Sequence, residues 1–144
     1  MPRRFQQNIG LLILSAVLLW SASSKSNGVD GFLMLAKTRV KVFNYLEHHQ
    51  DLILHCRSED DDLQPHRIGY GEHFEWSFRV NFFGRTQYYC SFQWPGAALK
   101  WFDIYIGWRD DKLCDTCLWG IWEDRPCMLN TTDYLGHCFE YNRS

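Results

Sequence analysis

Six cysteines, Cys56, Cys90, Cys114, Cys117, Cys127 and Cys138, all follow a short apolar run near the amino terminus. That order constrains the fold more than any other feature of the chain. Arg3 and Arg4 form a small basic head, residues 9–20 are almost wholly apolar, and Ser21-Ala22-Ser23-Ser24 follows with small side chains. This is the three-part layout of a secretory signal peptide, expected over residues 1–24 with cleavage after Ser23 or Ser24. A helix of that apolar run spans roughly 18 Å against a bilayer core of about 30 Å, so no membrane insertion is expected. Export into an extracellular, oxidising space turns an even cysteine count into a disulfide framework, and residues 25–144 are expected to form one domain. Six cysteines allow many pairings, and the sequence does not choose among them.

The mature chain reads as a succession of short strands. Phe74 to Val80 alternates strictly between apolar and polar residues, as a half-buried strand does. Gln87 to Trp94 repeats the pattern with Tyr88, Cys90, Phe92 and Trp94 on one side, and Phe83-Gly84-Arg85-Thr86 between the two runs suggests a hairpin. Phe102, Ile104, Ile106 and Trp108 share a face of a further strand, bounded by Pro95-Gly96 and by Arg109 to Lys112. Val40 to Asn44, Leu52 to Cys56, a run from Cys117 through Trp119 to Ile121, and His137 to Tyr141 complete the set. Helical spacing is weak, and its best example, Tyr45 to Leu52, is short. Seven or eight short strands with regular turn signals predict an all-β, disulfide-stabilised antiparallel β-sandwich.

Charge narrows the choice of partner. Lys and Arg number 15 and Asp and Glu 17, a net charge of −2. Loss of Arg3 and Arg4 with the signal peptide leaves 13 cations against 17 anions, a net charge of −4. Nucleic-acid binding is not expected from such a chain, since it lacks the cation surplus that displaces phosphate counterions.

No catalytic set assembles. The Cys114-Asp115-Thr116-Cys117 motif in an exported all-β context reads as a structural bridge, and no second CxxC or histidine pair stands beside it to make a zinc site. The histidines are His48, His49, His55, His66, His73 and His137. His55 and Cys56 are adjacent on a strand and so face opposite ways. The acidic run Ser58-Glu59-Asp60-Asp61-Asp62 lacks the alternating spacing of a calcium loop and reads as a solvated loop that is also a candidate recognition surface. Neither a metal nor a cofactor is expected. Asn130-Thr131-Thr132 fits the N-glycosylation pattern, as does Asn142-Arg143-Ser144 at the end. Trp94-Pro95 and the pair Trp119 and Trp122 are expected to pack between the sheets, although a one-faced strand cannot bury both of the latter; the alternative is an exposed pair that stacks on sugar rings or on a partner protein.

Several of these pieces, in this order, resemble the plant self-incompatibility protein S1 family. Leu54-His55-Cys56-Arg57-Ser58-Glu59-Asp60-Asp61-Asp62-Leu63, followed by Pro65-His66, is similar to the family's HC-basic-S-x-D-D-D-L-G-x-H signature. Val40 to Leu46 is similar to its V-x-V-x-N-x-L opening, and the aromatic blocks from Phe74 to Trp119 match later segments. Gln64 stands where the family usually has glycine, Arg125-Pro126 replaces its usual aspartate-glycine turn, and Cys138 lies beyond its usual cysteine pattern. The resemblance implies a secreted, disulfide-bonded β-sandwich that is not an enzyme. In founding members it implies a pistil-secreted ligand recognised by a pollen membrane receptor, with self pollen rejected. The expected protein is a monomeric cell–cell signalling ligand. The competing expectation is a secreted hydrolase or glycan-binding defence protein that uses His66, His73 or the exposed tryptophans.

Overall fold

The computed structural model describes residues 37–129 and 136–143. The expected signal peptide, residues 1–24, and Asn130 lie outside them. Eight strands follow in order: β1 (Lys37–Asn44), β2 (Leu52–Arg57), β3 (Asp62–Ile68), β4 (His73–Arg79), β5 (Gln87–Gln93), β6 (Lys100–Ile106), β7 (Thr116–Ile121) and β8 (Pro126–Leu129). One turn of helix, α1 (Gly107–Asp110), joins β6 to β7. The strands form two four-stranded sheets of order β4-β1-β7-β8 and β3-β2-β5-β6. All pairs are antiparallel except β1 with β7, which run parallel. The parallel pair arises because β7 returns from the second sheet and enters beside β1 at the end where β1 begins.

The sheets pack through the faces that alternation selects. Val40, Val42, Leu54, Cys90, Phe92, Ile104, Cys117, Trp119 and Ile121 are wholly buried. Burying a large apolar side chain contributes about 1.5–3 kcal/mol, so this double layer is the main source of stability. Cys56 and Cys90 face each other across β2 and β5 and are bonded. Cys114 is bonded to Cys117 at the entry to β7, and Cys127 to Cys138.

Three expectations are corrected. The segment 83–86 is not a hairpin, because β4 and β5 belong to different sheets and the link crosses between them. The β6 alternation ends at Ile106: Tyr105 turns inward and is fully buried, while Trp108, on α1, is 81% exposed. Residues 45–51 form turns and irregular chain, in keeping with the weak helical spacing there. His137 to Tyr141 is no strand. It touches β8 through the bridge Cys127↔Cys138 and β6 through Trp101↔Asn142, passing from the edge of one sheet to the edge of the other.

β3 and β8 carry no alternation that periodicity could detect. β3 is an edge strand, which tolerates Pro65. A bulge bends it, with Leu63 and Gln64 set against Cys56 alone and Gln64 left-handed at φ 63°. β8 has four residues, of which the first three are buried.

Candidate functional site

Strand directions divide the connections between two ends of the sandwich. The residues following β2, β4 and β6 gather at one end, where β1 begins. Those following β1, β3, β5 and β7 gather at the other.

The acidic run forms the β2–β3 turn at the first end. Ser58 N–H donates to the Asp61 carbonyl (2.8 Å), and the Ser58 hydroxyl oxygen accepts from the Asp60 and Asp61 amides at 3.3 and 3.0 Å. The five polar residues then separate by role. Tyr88 O–H donates to Asp61 Oδ2 at 2.6 Å. Burial, reinforced by the Asp61 carboxylate, pushes the Tyr88 phenol up to about 12. Asp62 Oδ1 accepts from His55 Nε2 at 2.5 Å and from the Gln64 amide at 2.9 Å, and Arg57 stands 3.4 Å from Oδ2. The His55 hydrogen bond holds the Asp62 carboxyl below its usual range, with the Gln64 amide assisting. With Nε2–H donating to Asp62, Nδ1 accepts from Arg57 Nη2 at 3.2 Å, and the 3.1 Å approach of Arg57 Nε to Nε2 is then a close contact between two donors. Asp61 and Asp62 thus fasten the hairpin, while Glu59 and Asp60 point to solvent.

The β4–β5 link lies beside this turn. Asn81 organises it: its amide donates to the Thr86 hydroxyl (2.7 Å) and its side chain accepts from the Phe83 amide (2.7 Å). The consequence is that Phe82 and Phe83 stand 83% and 75% exposed, edge to face, with the Arg85 guanidinium 5.9 Å from the Phe83 ring. An open cleft of about 750 Å³ separates the acidic turn from this link, with Asp60, Arg85 and Tyr89 in its walls.

The β6–β7 connection completes the end. Gly107 donates its amide to the Thr86 carbonyl (2.9 Å), and any Cβ there would collide with the Gly84 carbonyl, so glycine is what lets the two loops meet. Trp108 and Leu113 stay exposed. The connection is anchored by Asp110, which has no exposed surface. Arg109 forks onto both Asp110 oxygens at 2.7 Å and donates to the Asp103 carbonyl at 2.9 Å, while the Ile106 amide donates to Asp110 at 2.9 Å. The guanidinium also lies 5.1–5.4 Å from the rings of Phe102, Trp119 and Phe139.

The other end is built around Asn44, which is fully buried. Its amide nitrogen donates to the carbonyls of Gln50 and Ile68 (2.7 and 3.0 Å), and its oxygen accepts from the Leu46 amide. The asparagine and leucine of the V-x-V-x-N-x-L opening therefore hold a turn.

The histidines are scattered. His48 lies 3.4 Å from Glu123, His49 stacks on Tyr70, His66 stacks on Phe74 with Nε2–H to the Leu63 carbonyl, and His73 is on β4. Among the described residues no three His, Cys, Asp or Glu side chains are grouped to hold a metal ion, and no helix is long and apolar enough to cross a membrane. Periodicity missed Phe82, Phe83, Trp108 and the Arg109–Asp110 anchor, because exposed loop aromatics and a buried charge both run against it. An Asn-aromatic-aromatic-Gly turn between two strands is the signal that points to the first pair.

Comparison with known proteins agrees with this geometry. The family model described as plant self-incompatibility protein S1 matches residues 39–141. S-protein homolog 2 of Arabidopsis thaliana is 40% identical over 99% of this chain and 97% of its own length. The self-incompatibility protein S1 of Papaver rhoeas is 34% identical over 75% of this chain and 76% of its own. A solved structure of self-incompatibility protein homologue proteins, described as small, highly stable, secreted proteins from plants, superposes with a TM-score of 0.55 at 15% identity, covering 76% of this chain and 98% of that one. On the match across the sandwich and the identity with these relatives, the chain belongs to the plant self-incompatibility protein S1 family.

Proposed function

We propose that the protein is a secreted, monomeric ligand that acts by being bound, without turnover, by a membrane receptor protein on another cell. The observation that carries this reading is the end of the sandwich where Phe82, Phe83, Trp108 and Leu113 stand exposed beside Glu59 and Asp60. Large apolar side chains exposed together mark interaction surfaces, and aromatic residues supply most of the energy of protein interfaces. The frame beneath them is fixed by the Cys56–Cys90 and Cys114–Cys117 bonds, the Gly107–Gly84 contact and the Asp110 anchor, so little ordering entropy is lost on binding. Glu59 and Asp60 favour a receptor surface with Lys or Arg opposite them. The relationship to the Papaver rhoeas self-incompatibility protein supports cell–cell recognition as the process.

The test is binding of labelled protein to plant cells and to membranes isolated from them. Binding should saturate, be competed by unlabelled protein and vanish after proteolysis of the membranes. The variant Phe82→Ser/Phe83→Ser/Trp108→Ser should bind at least about tenfold more weakly with an unchanged melting temperature, since each residue is exposed. Non-saturating binding, or full binding by the triple variant, would refute the reading.

A further inference from the structure

A second surface lies on the outer face of the β4-β1-β7-β8 sheet. Alternation on β1 turns Val40, Val42 and Asn44 inward and Lys37, Arg39, Lys41 and Phe43 outward. Across the ladder, Lys37 pairs with Arg79, Arg39 with Ser77, Lys41 with Glu75 and Phe43 with His73. Glu75 is the one acid among these outward positions, and it is shared by Lys41 at 2.9 Å and His73 at 3.6 Å. A cation surplus of this kind, on a chain with more acids than bases, is a local charge separation.

An aromatic strip continues the row. His73, Phe43, Tyr45 and Trp122 follow one another with ring centroids 5.0, 5.7 and 5.1 Å apart, and Phe43 and Tyr45 are within 6° of parallel. None of the four is fully buried. Gly120, outward on β7, explains how the strip lies so low. A Cβ there would collide with the six-membered part of the Trp122 indole and come within 2.9 Å of the Tyr45 ring, so the rings rest on bare backbone. Packing of the core does not require this arrangement, since Trp119 and Ile121 already fill the inner face of β7.

Cations beside a low strip of rings match one ligand chemistry. The C–H faces of pyranose rings stack on aromatic side chains, and carboxylates on the sugar pair with Lys and Arg. We propose that this face binds an acidic, uronate-containing oligosaccharide, with its carboxylates on Lys37 and Arg39 and its sugar faces on Phe43, Tyr45 and Trp122. This inference stands apart from the receptor reading, because it uses a different face of the molecule.

The experiment is titration of the disulfide-bonded protein with an oligogalacturonide, read by calorimetry and tryptophan fluorescence. A neutral cello-oligosaccharide and a polyglutamate of matched charge serve as the comparison probes. Saturable binding is expected that weakens as salt is raised. Both comparison probes should bind at least about tenfold more weakly, and Lys37→Gln/Arg39→Gln and Trp122→Ala should each lose about tenfold or more. The Phe82→Ser/Phe83→Ser/Trp108→Ser variant should bind normally. Equal binding of polyglutamate would reduce the effect to charge alone and overturn the proposal. Equal binding of the neutral sugar, no saturation, or unaltered binding by the double glutamine variant would also overturn it. If Trp122→Ala does not fold, the double glutamine variant decides the matter, since both of its positions are exposed.

Discussion

Asp110 is the position where a single substitution tests most of the structural reasoning. Its carboxylate is fully buried and takes three hydrogen bonds, two from the Arg109 fork and one from the Ile106 amide. The Arg109 side chain is 14% exposed and is enclosed by three aromatic rings. Asp110→Ala therefore leaves an uncompensated guanidinium in a largely dry site and an amide without its acceptor. Removing one partner of a buried ion pair costs about 3–5 kcal/mol. For a domain of this size that lowers the melting temperature by roughly 10–25 °C. Replacing both partners, as in Arg109→Met/Asp110→Ala, removes the stranded charge and fills the ring cage with an apolar chain. The loss should then shrink to about 1–2 kcal/mol, the amount associated with the orphaned Ile106 amide. The assay is guanidinium unfolding of the oxidised protein, comparing midpoints at constant slope. A loss below about 1 kcal/mol in the single variant, or a double variant no more stable than the single, would refute the buried-pair reasoning.

Three further outcomes are expected. Gln64→Gly should leave stability unchanged or raise it by up to about 1 kcal/mol in urea melts, because relief of the left-handed backbone at φ 63° outweighs or balances glycine's added freedom in the unfolded chain. The Asp62 carboxyl is held below its usual range by His55, so its contribution is present above the unfolded value near 4 and fades as pH falls through the lower folded value; urea midpoints of Asp62→Asn and the parent should differ at neutral pH and converge in acid. Removing Cys56–Cys90, which spans 34 residues, should cost about 4 kcal/mol, and removing Cys114–Cys117, which spans three, under about 2 kcal/mol, as measured by calorimetry on Cys→Ala pairs.

The strands that face the core were readable from their alternation. Phe92, Trp119 and Ile121 sit at period two in the chain and are buried in the structure, because a pleated strand must put its apolar side on one face. The acidic run was readable as a solvated loop, but not the separation of Asp61 and Asp62, bound to Tyr88 and His55, from the exposed Glu59 and Asp60. Tyr88 comes from a strand 27 residues away, and no local pattern encodes that meeting. The family resemblance carried the overall reading further than periodicity did, since its signature marks Asn44, Asp62 and Gln64, whose roles are geometric rather than apolar.

By itself the sequence determined the class of fold: six cysteines, aromatic alternation and turn residues at short intervals admit little except a stapled double sheet. Tertiary structure decided which strands pair, that β4 and β5 part company into different sheets, and that Phe82, Phe83 and Trp108 share one end while Lys37, Arg39 and Trp122 share a face. The physical reason is range. Alternation and turn chemistry act between residues a few positions apart, whereas a surface is assembled by contacts between strands far apart in the chain, and those follow from how two sheets bury their apolar faces together.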